Sequence, residues 1–419
     1  MKINQIILAV VLGLGMSGQY QANAACIVGP DTISSIVYQT MITPGAVFIN
    51  TPKTTLYGGG SNDHNAGGSA RYMTFEGVLV GDSYSETTFI DCAWLGSERG
   101  ISDAIGVGNN YGFETIPDGA TTYVNKSNQT VSVFDGKDHG TNYPGFDANS
   151  YWQTHGNFWG DERVTLAFTD YDQAFSRTPN PIIANNAVVC VVPFKWVRNN
   201  GVWNGTNVTD FQIRQALGGF CPRAVFSGNS ADTTDFVYVS GRDRSGGGAN
   251  AFAETGWGVF TSTRQIELDG TGNIVNLDGL GTYAGDFGFT FGSDLAVTLG
   301  TSTAGKNDPQ AGTTGAGFSV IAYLSVGDAG TTIAAGAQEL TYNGVLFSPA
   351  AVKEGTYTFW GNEYIFVVPI NGGQITYSDK LLYDRLVSTI PAHCDGVTAI
   401  KLSDMHCSRS GPNSDPSHN

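Results

Sequence analysis

Short apolar runs bounded by turn residues recur along most of this chain, and each has the length of a buried strand rather than a long helix. Ala187 to Val192, Phe236 to Ser240 and Phe318 to Val326 are the clearest, and Thr87 to Ile90 is a shorter example. Helix signals follow several of them. Ile101 to Val107 comes after a Gly-Ser turn, and Thr209 to Leu217 opens on a threonine cap with Asp210 in its first turn. Ala249 to Thr255 follows a glycine-rich turn, and Ala350 to Lys353 precedes another. Strand, glycine turn and helix start, repeated in this way, predict an α/β protein with ligands at helix N-termini. Tyr57 to Ser69 and Gly300 to Gly317 have loop composition, and the polar stretch from Ser408 to Asn419 is expected to fray. No fixed-period repeat is present, which excludes a propeller or solenoid.

The first residues change the picture of where the protein works. Lys2, the apolar run Ile6 to Met16 and the small-residue pattern Ala22-Asn23-Ala24 have the form of a secretory signal removed after residue 24. That run is too short to span a bilayer, so a chain that does not cross the membrane after cleavage is expected, in a periplasm or at a cell surface.

Lys and Arg number 21 against 37 Asp and Glu, a formal net charge of −16. Loss of Lys2 makes the mature chain one unit more negative. Nucleic-acid binding draws on clustered basic side chains, so this balance argues against it. An anionic ligand would be repelled by the overall field and must rely on local donors. Six cysteines follow the signal: Cys26, Cys92, Cys190, Cys221, Cys394 and Cys407. An even number in an oxidising compartment favours disulfides. His393-Cys394 and His406-Cys407 suggest either zinc or a local Cys394–Cys407 bridge, and the spacing fits the bridge better than any familiar metal pattern. No cofactor and no metal is expected.

Three segments carry candidate chemistry. Gly96-Ser97-Glu98-Arg99-Gly100 ends a strand and opens a helix, where unpaired N–H groups and the helix dipole favour an anion, although an ordinary capped helix has the same look. Gly241 to Gly248 holds Arg242, Ser245, Gly246 and Gly247 directly after the strand at Phe236. A guanidinium there offers a planar fork to two oxyanion oxygens, whereas a solvated surface loop would leave it idle. Asp170 ends the apolar run Leu166 to Thr169. It is either a simple cap or the acceptor for a protonated oxyanion such as hydrogen phosphate, which would exclude sulfate. There is no Gly-x-Ser-x-Gly elbow, no His-Glu-x-x-His and no Walker loop, so nothing asks for an enzyme.

Several strings together resemble the phosphate-binding-protein-like members of the type II periplasmic solute-binding family. Among them are Val192-Pro193-Phe194-Lys195-Trp196-Val197, Val239-Ser240-Gly241-Arg242-Asp243, Phe252-Ala253-Glu254-Thr255-Gly256, Tyr323-Leu324-Ser325-Val326-Gly327-Asp328-Ala329 and Gly355-Thr356-Tyr357-Thr358-Phe359-Trp360-Gly361. The resemblance covers roughly Arg71 to Ser410. It implies two α/β lobes joined by two hinge-crossing strands, near Val191 and Tyr323, with the ligand between them. By that analogy residues 25–190 and 323–407 form the first lobe and 191–322 the second. The family's anion loop falls on Gly96, Ser97 and Gly100, its strand-end aspartate on Asp170, and its arginine loop on Arg242, Ser245 and Gly246. The resemblance further implies inorganic phosphate or a similar oxyanion as ligand and an ABC permease as partner. Two departures stand out. Val47-Phe48-Ile49-Asn50 runs into Thr51-Pro52-Lys53 without the small Gly/Ser/Thr loop that gives the family's first contact, and Gly247 stands where a threonine is usual. Besides oxyanion binding, two other functions remain open: a structural or surface protein that lost its ligand, and an exported phosphate-ester hydrolase.

Overall fold

The computed structural model describes residues 23–57, 72–94, 96–104, 122–124, 130–135, 164–176, 186–219, 221–242, 265–274, 288–289, 292–369, 375–409 and 414–418. Residues 1–22 of the expected signal (1–24), the loop after Tyr57, the expected helix at Ala249 and the residues Ser245, Gly246 and Gly247 lie outside them, while Asn23 and Ala24 open the first strand.

The chain is a mixed α/β protein. In order, its strands are β1 (Asn23–Gly29), β2 (Lys53–Tyr57), β3 (Tyr72–Val78), β4 (Thr87–Trp94), β5 (Thr122–Val124), β6 (Thr130–Asp135), β7 (Val164–Thr169), β8 (Asn186–Arg198), β9 (Asn207–Val208), β10 (Cys221–Pro222), β11 (Phe236–Ser240), β12 (Ser319–Ser325), β13 (Gln338–Glu339), β14 (Thr341–Tyr342), β15 (Trp360–Val367), β16 (Cys407–Arg409) and β17 (Pro416–His418). The main sheet runs β10-β11-β12-β8-β15-β7-β1-β4-β3-β2-β6-β5. Of these, β4, β7 and β12 are almost wholly buried runs, as a sheet covered on both faces requires.

Two lobes share this sheet through β8. The first part of β8 pairs antiparallel with β15, ending at Pro193 opposite Trp360, and its last part pairs with β12 from Phe194 onward. A crossing expected near Val191 is therefore found two residues further on. Tyr323, expected at the second crossing, lies inside β12 opposite Trp196, and the chain rejoins the first half of the sheet only at Trp360. A smaller core fills the second half, built on Val197, Tyr238, Leu295 and Ala322. The larger core extends from Ile27 and Trp94 through Trp196 to Tyr357.

The helix Asp210–Gly218 begins as its composition predicts. Thr209 Oγ1 accepts from Gln212 N while Gln212 Oε1 accepts from Thr209 N, a reciprocal cap. Two other expectations are corrected. Across the stretch expected to fray, Cys407–Arg409 and Pro416–His418 pair as β16 and β17, and the Arg409 guanidinium lies 4.3 Å over the Trp360 ring while donating to Thr358 O at 2.8 Å. The Cys394–Cys407 bridge is absent. All six cysteines are free thiols, and Cys407 turns into the core, where its sulfur donates to Val352 O at 3.7 Å.

Close packing explains one glycine of the expected anion loop. Gly100 sits inside the helix Ser97–Ala104, and a Cβ there would lie 2.9 Å from Phe168 O and 3.2 Å from Val28 O. Both neighbours are backbone, so relief requires the helix to move off the sheet. Gly100→Ala is expected to lower the unfolding free energy by about 1–3 kcal/mol from overpacking, against a helix-propensity gain of about 1 kcal/mol. Urea denaturation followed by circular dichroism would reveal it, and an unchanged or raised midpoint would contradict this packing role.

Candidate functional site

A cleft opens where five strands end. β1 runs parallel to both β4 and β7, and β11 runs parallel to β12, so the loops leaving them emerge at carboxyl edges, where α/β folds place their ligands. Pro30, Asp31 and Thr32 follow β1, Gly96 and Ser97 follow β4, and Asp170 follows β7. Arg242 follows β11, and Ser325 and Asp328 follow from β12. Phe194, Tyr323, Leu324 and Gly292 complete the lining. The remaining free volume is about 20 Å³, room for little more than one water.

Four helices begin at this cleft: Ser34–Ile42, Ser97–Ala104, Gly292–Leu299 and Val326–Ala334. Each brings the positive end of its dipole toward the same region. Arg242, the one guanidinium lining the cleft among the described residues, is held in place from behind. Tyr323 Oη accepts from Arg242 N at 3.2 Å and donates to Gln265 Oε1 at 3.1 Å, while Gln265 Nε2 donates to Arg242 O at 3.1 Å. Gly241 is required beside this clamp, since a Cβ would come within 2.0 Å of Gln265 Oε1 and 2.5 Å of Tyr323 Oη.

The positive cradle faces the chain's own carboxylates. Arg242 Nη1 donates to Asp31 Oδ1 at 3.1 Å and to Oδ2 at 3.4 Å, joining a loop of the first half to a loop of the second. The Arg242 side chain is 11% exposed and that of Asp31 27%, so the pair is only partly shielded from solvent. Asp328 Oδ2 accepts from Ser325 Oγ at 2.9 Å and Asp328 N donates back to Ser325 Oγ at 3.1 Å. Gly292 leaves space for both acids: a Cβ on it would lie 2.4 Å from Asp328 Oδ2 and 3.4 Å from Asp31 Oδ2.

Ser97 and Asp170 meet as the sequence anticipates. Ser97 Oγ donates to Asp170 Oδ1 at 2.5 Å and accepts from Asp170 N at 3.1 Å. Burial raises the Asp170 carboxyl to about 6, with the Ser97 hydrogen bond and the Arg242 charge opposing that rise and Asp31 adding to it. Glu98, although part of the expected loop, points away from the cleft. It is buried and accepts from Tyr171 Oη at 2.5 Å and Ser176 Oγ at 2.8 Å.

Of the eight anticipated site residues, Gly96, Ser97, Asp170 and Arg242 line one cleft. Gly100 serves packing, and Ser245, Gly246 and Gly247 lie outside the described residues. Asp31, Thr32, Ser325 and Asp328 were not anticipated as site residues. The first loop was sought after Phe48, yet Lys53–Tyr57 pairs between β3 and β6, away from the cleft. The loop that reaches the cleft instead follows β1, in the Gly29-Pro30-Asp31-Thr32 stretch. A glycine and a proline between an apolar run and a helix were the available signal.

No family model and no curated protein matches this chain. Among solved structures it is similar to a putative phosphate ABC transporter substrate-binding protein with bound phosphate from Clostridium perfringens, at 12% identity over 91% of this chain and 100% of that one, with a TM-score of 0.42. An ABC-type phosphate transport receptor from Vibrio cholerae is similar at 11% identity, covering 87% of this chain and 98% of that one, with a TM-score of 0.40. At such identities and scores the likeness carries no ligand over to this chain.

The Asp170 shift has a definite sign. Its folded value, near 6, lies above the ordinary 3.8, so the folded state holds the proton more tightly. The associated stability is fully present below about pH 4 and is lost as pH rises through about 6, a change of up to about 3 kcal/mol. Asp170→Asn is expected to abolish this step, so that its stability relative to the native chain improves steadily between pH 4 and 7. Denaturant titrations at several pH values measure it, and a constant difference between the two proteins would contradict the assignment.

Proposed function

We propose that this chain is an extracytoplasmic solute-binding protein whose inter-lobe cleft takes a small tetrahedral oxyanion, phosphate first, for delivery to a transporter such as an ABC permease or for sensing. The observation that carries this reading is the convergence of four helix N-termini, Arg242 and the hydroxyls of Ser97 and Ser325 on one cleft. Each helix start and the guanidinium favour a negative guest.

Asp31 already occupies Arg242, so binding is an exchange. An incoming oxyanion takes the guanidinium, and the Asp31 carboxylate moves out to water through its own exposed side. The small free volume supports the same sequence, because a five-atom oxyanion needs Asp31 displaced or the lobes parted. Asp170 sets selectivity. Above its titration near 6 it is a carboxylate that accepts the proton of hydrogen phosphate, and a fully deprotonated oxyanion leaves it facing a like charge.

Isothermal titration of the folded protein is expected to show phosphate binding that Arg242→Ala abolishes. Asp31→Asn, which removes the competing charge, is expected to tighten binding roughly tenfold, the equivalent of about 1.4 kcal/mol. Absence of heat with millimolar phosphate in both the native chain and Asp31→Asn would overturn the reading.

The Asp170 proton gives a second, independent outcome. Sulfate is expected to bind only below about pH 6, where Asp170 is protonated and can donate, whereas phosphate binding persists above it. Equal pH profiles for the two anions would contradict the role given to Asp170.

The Asp31–Arg242 pair also favours a second reading, a ligand-free structural protein whose lobes are clamped shut by that contact. On that reading Asp31→Asn lowers thermal stability and confers no anion binding.

A further inference from the structure

Two thiols from distant parts of the sequence meet beneath the shared strand. Cys190 lies in β8, fully buried, opposite Glu363 of β15. Cys394 caps the end of the helix Tyr377–His393 and is half-buried. The chain after Cys394 folds back at once. Asp395 Oδ1 accepts from Val397 N and Thr398 N, both at 2.8 Å, and Gly396 N donates to Ala399 O at 2.9 Å. Ile400 then forms a two-way bridge with Val191, at 2.9 and 2.8 Å. That bridge fixes the turn beside Cys190, and the two thiols lie close enough for each to shift the other's titration.

No other described pair shares this arrangement. Cys26 stands opposite Asp91 and Ile27 opposite Cys92 in adjacent parallel strands, so Cys26 and Cys92 face opposite sides of the sheet. Cys221 is in β10, beyond β11 and β12, and Cys407 is directed at Val352.

We propose that Cys190 and Cys394 form a disulfide in the oxidised protein, tying the strand shared by both lobes to the end of the last long helix. Each thiol acts on the other so that Cys394 is held below and Cys190 above the ordinary thiol value, and Cys394 is the more readily ionised and also the more accessible of the two. Its thiolate attacks one sulfur of an external disulfide, expelling the first thiolate and leaving a mixed disulfide at Cys394. The Cys190 sulfur then attacks Cys394 Sγ and expels the second. The two protons lost from the cysteines end on the two released thiols, and the two electrons reduce the external disulfide.

The test begins with the reduced full chain, equilibrated with oxidised glutathione, denatured, alkylated with N-ethylmaleimide and digested without reductant. Mass spectrometry is expected to find the Cys190 and Cys394 peptides linked, and Cys26, Cys92, Cys221 and Cys407 alkylated. The bridge closes a loop of roughly 200 residues, so the oxidised protein is expected to melt on the order of 10 °C higher than the reduced one. Cys394→Ser, at the half-buried position, is expected to lose that difference. Recovery of Cys190 and Cys394 both alkylated, or of Cys394 linked to Cys407, would overturn the proposal. It is independent of whether the cleft binds an anion.

Discussion

The contact between Arg242 and Asp31 is where the two lobes meet electrostatically. It joins the loop after β1 to the loop after β11 through a guanidinium that is nearly buried and a carboxylate that still touches solvent. Both lobes aim helix N-termini at this point, and a cradle of that kind without negative charge would leave N–H groups and a guanidinium unsatisfied. Asp31 and Asp328 supply the charge from within the chain. The cleft can therefore stay closed without a guest, and any guest must compete with a tethered carboxylate.

That competition is decided by geometry as much as by charge. Asp31 is held by its place at the turn into the helix Ser34–Ile42, with Ser34 Oγ donating to Asp31 O at 2.8 Å. Arg242 is held by the Tyr323–Gln265 clamp on its backbone. The two ends of the pair are thus positioned separately, each by its own lobe. Moving the lobes apart lengthens the contact without disturbing either mount, which is the behaviour expected of a hinge-closing interaction.

Much of this was legible before any coordinates. Arg242 after Phe236–Ser240, Ser97 after a Gly turn and Asp170 after an apolar run are strand-end positions, and strand ends are where α/β clefts form. What stayed hidden has physical causes. β1 begins inside the small-residue pattern that reads as a signal, so Cys26 to Gly29 look like the flank of a cleavage site, and the loop with Asp31 stays hidden. Gly100 was assigned to anion contact because glycine's two uses, approach to a ligand and approach to a neighbouring strand, leave the same mark in a sequence. Glu98 gave no sign that Tyr171 and Ser176 fold back onto it. Cys394 and Cys407 are matched by their closeness along the chain, whereas the Val191–Ile400 bridge brings the turn after Cys394 beside Cys190.

The overall charge adds the last constraint. A chain with a formal charge of −16 repels an anion at long range, so capture depends on donors that act only within the cleft. Filling that cleft with aspartates looks self-defeating, yet it suits a site that must also let go. A guanidinium left bare in a low-dielectric cleft would bind any small anion tightly and release it slowly. On the proposed reading, a tethered carboxylate weakens every anion at Arg242 alike, and Asp170 then separates anions that carry a proton from those that do not. That reading assigns affinity and selectivity to different residues, Asp31 tuning the first and Asp170 the second.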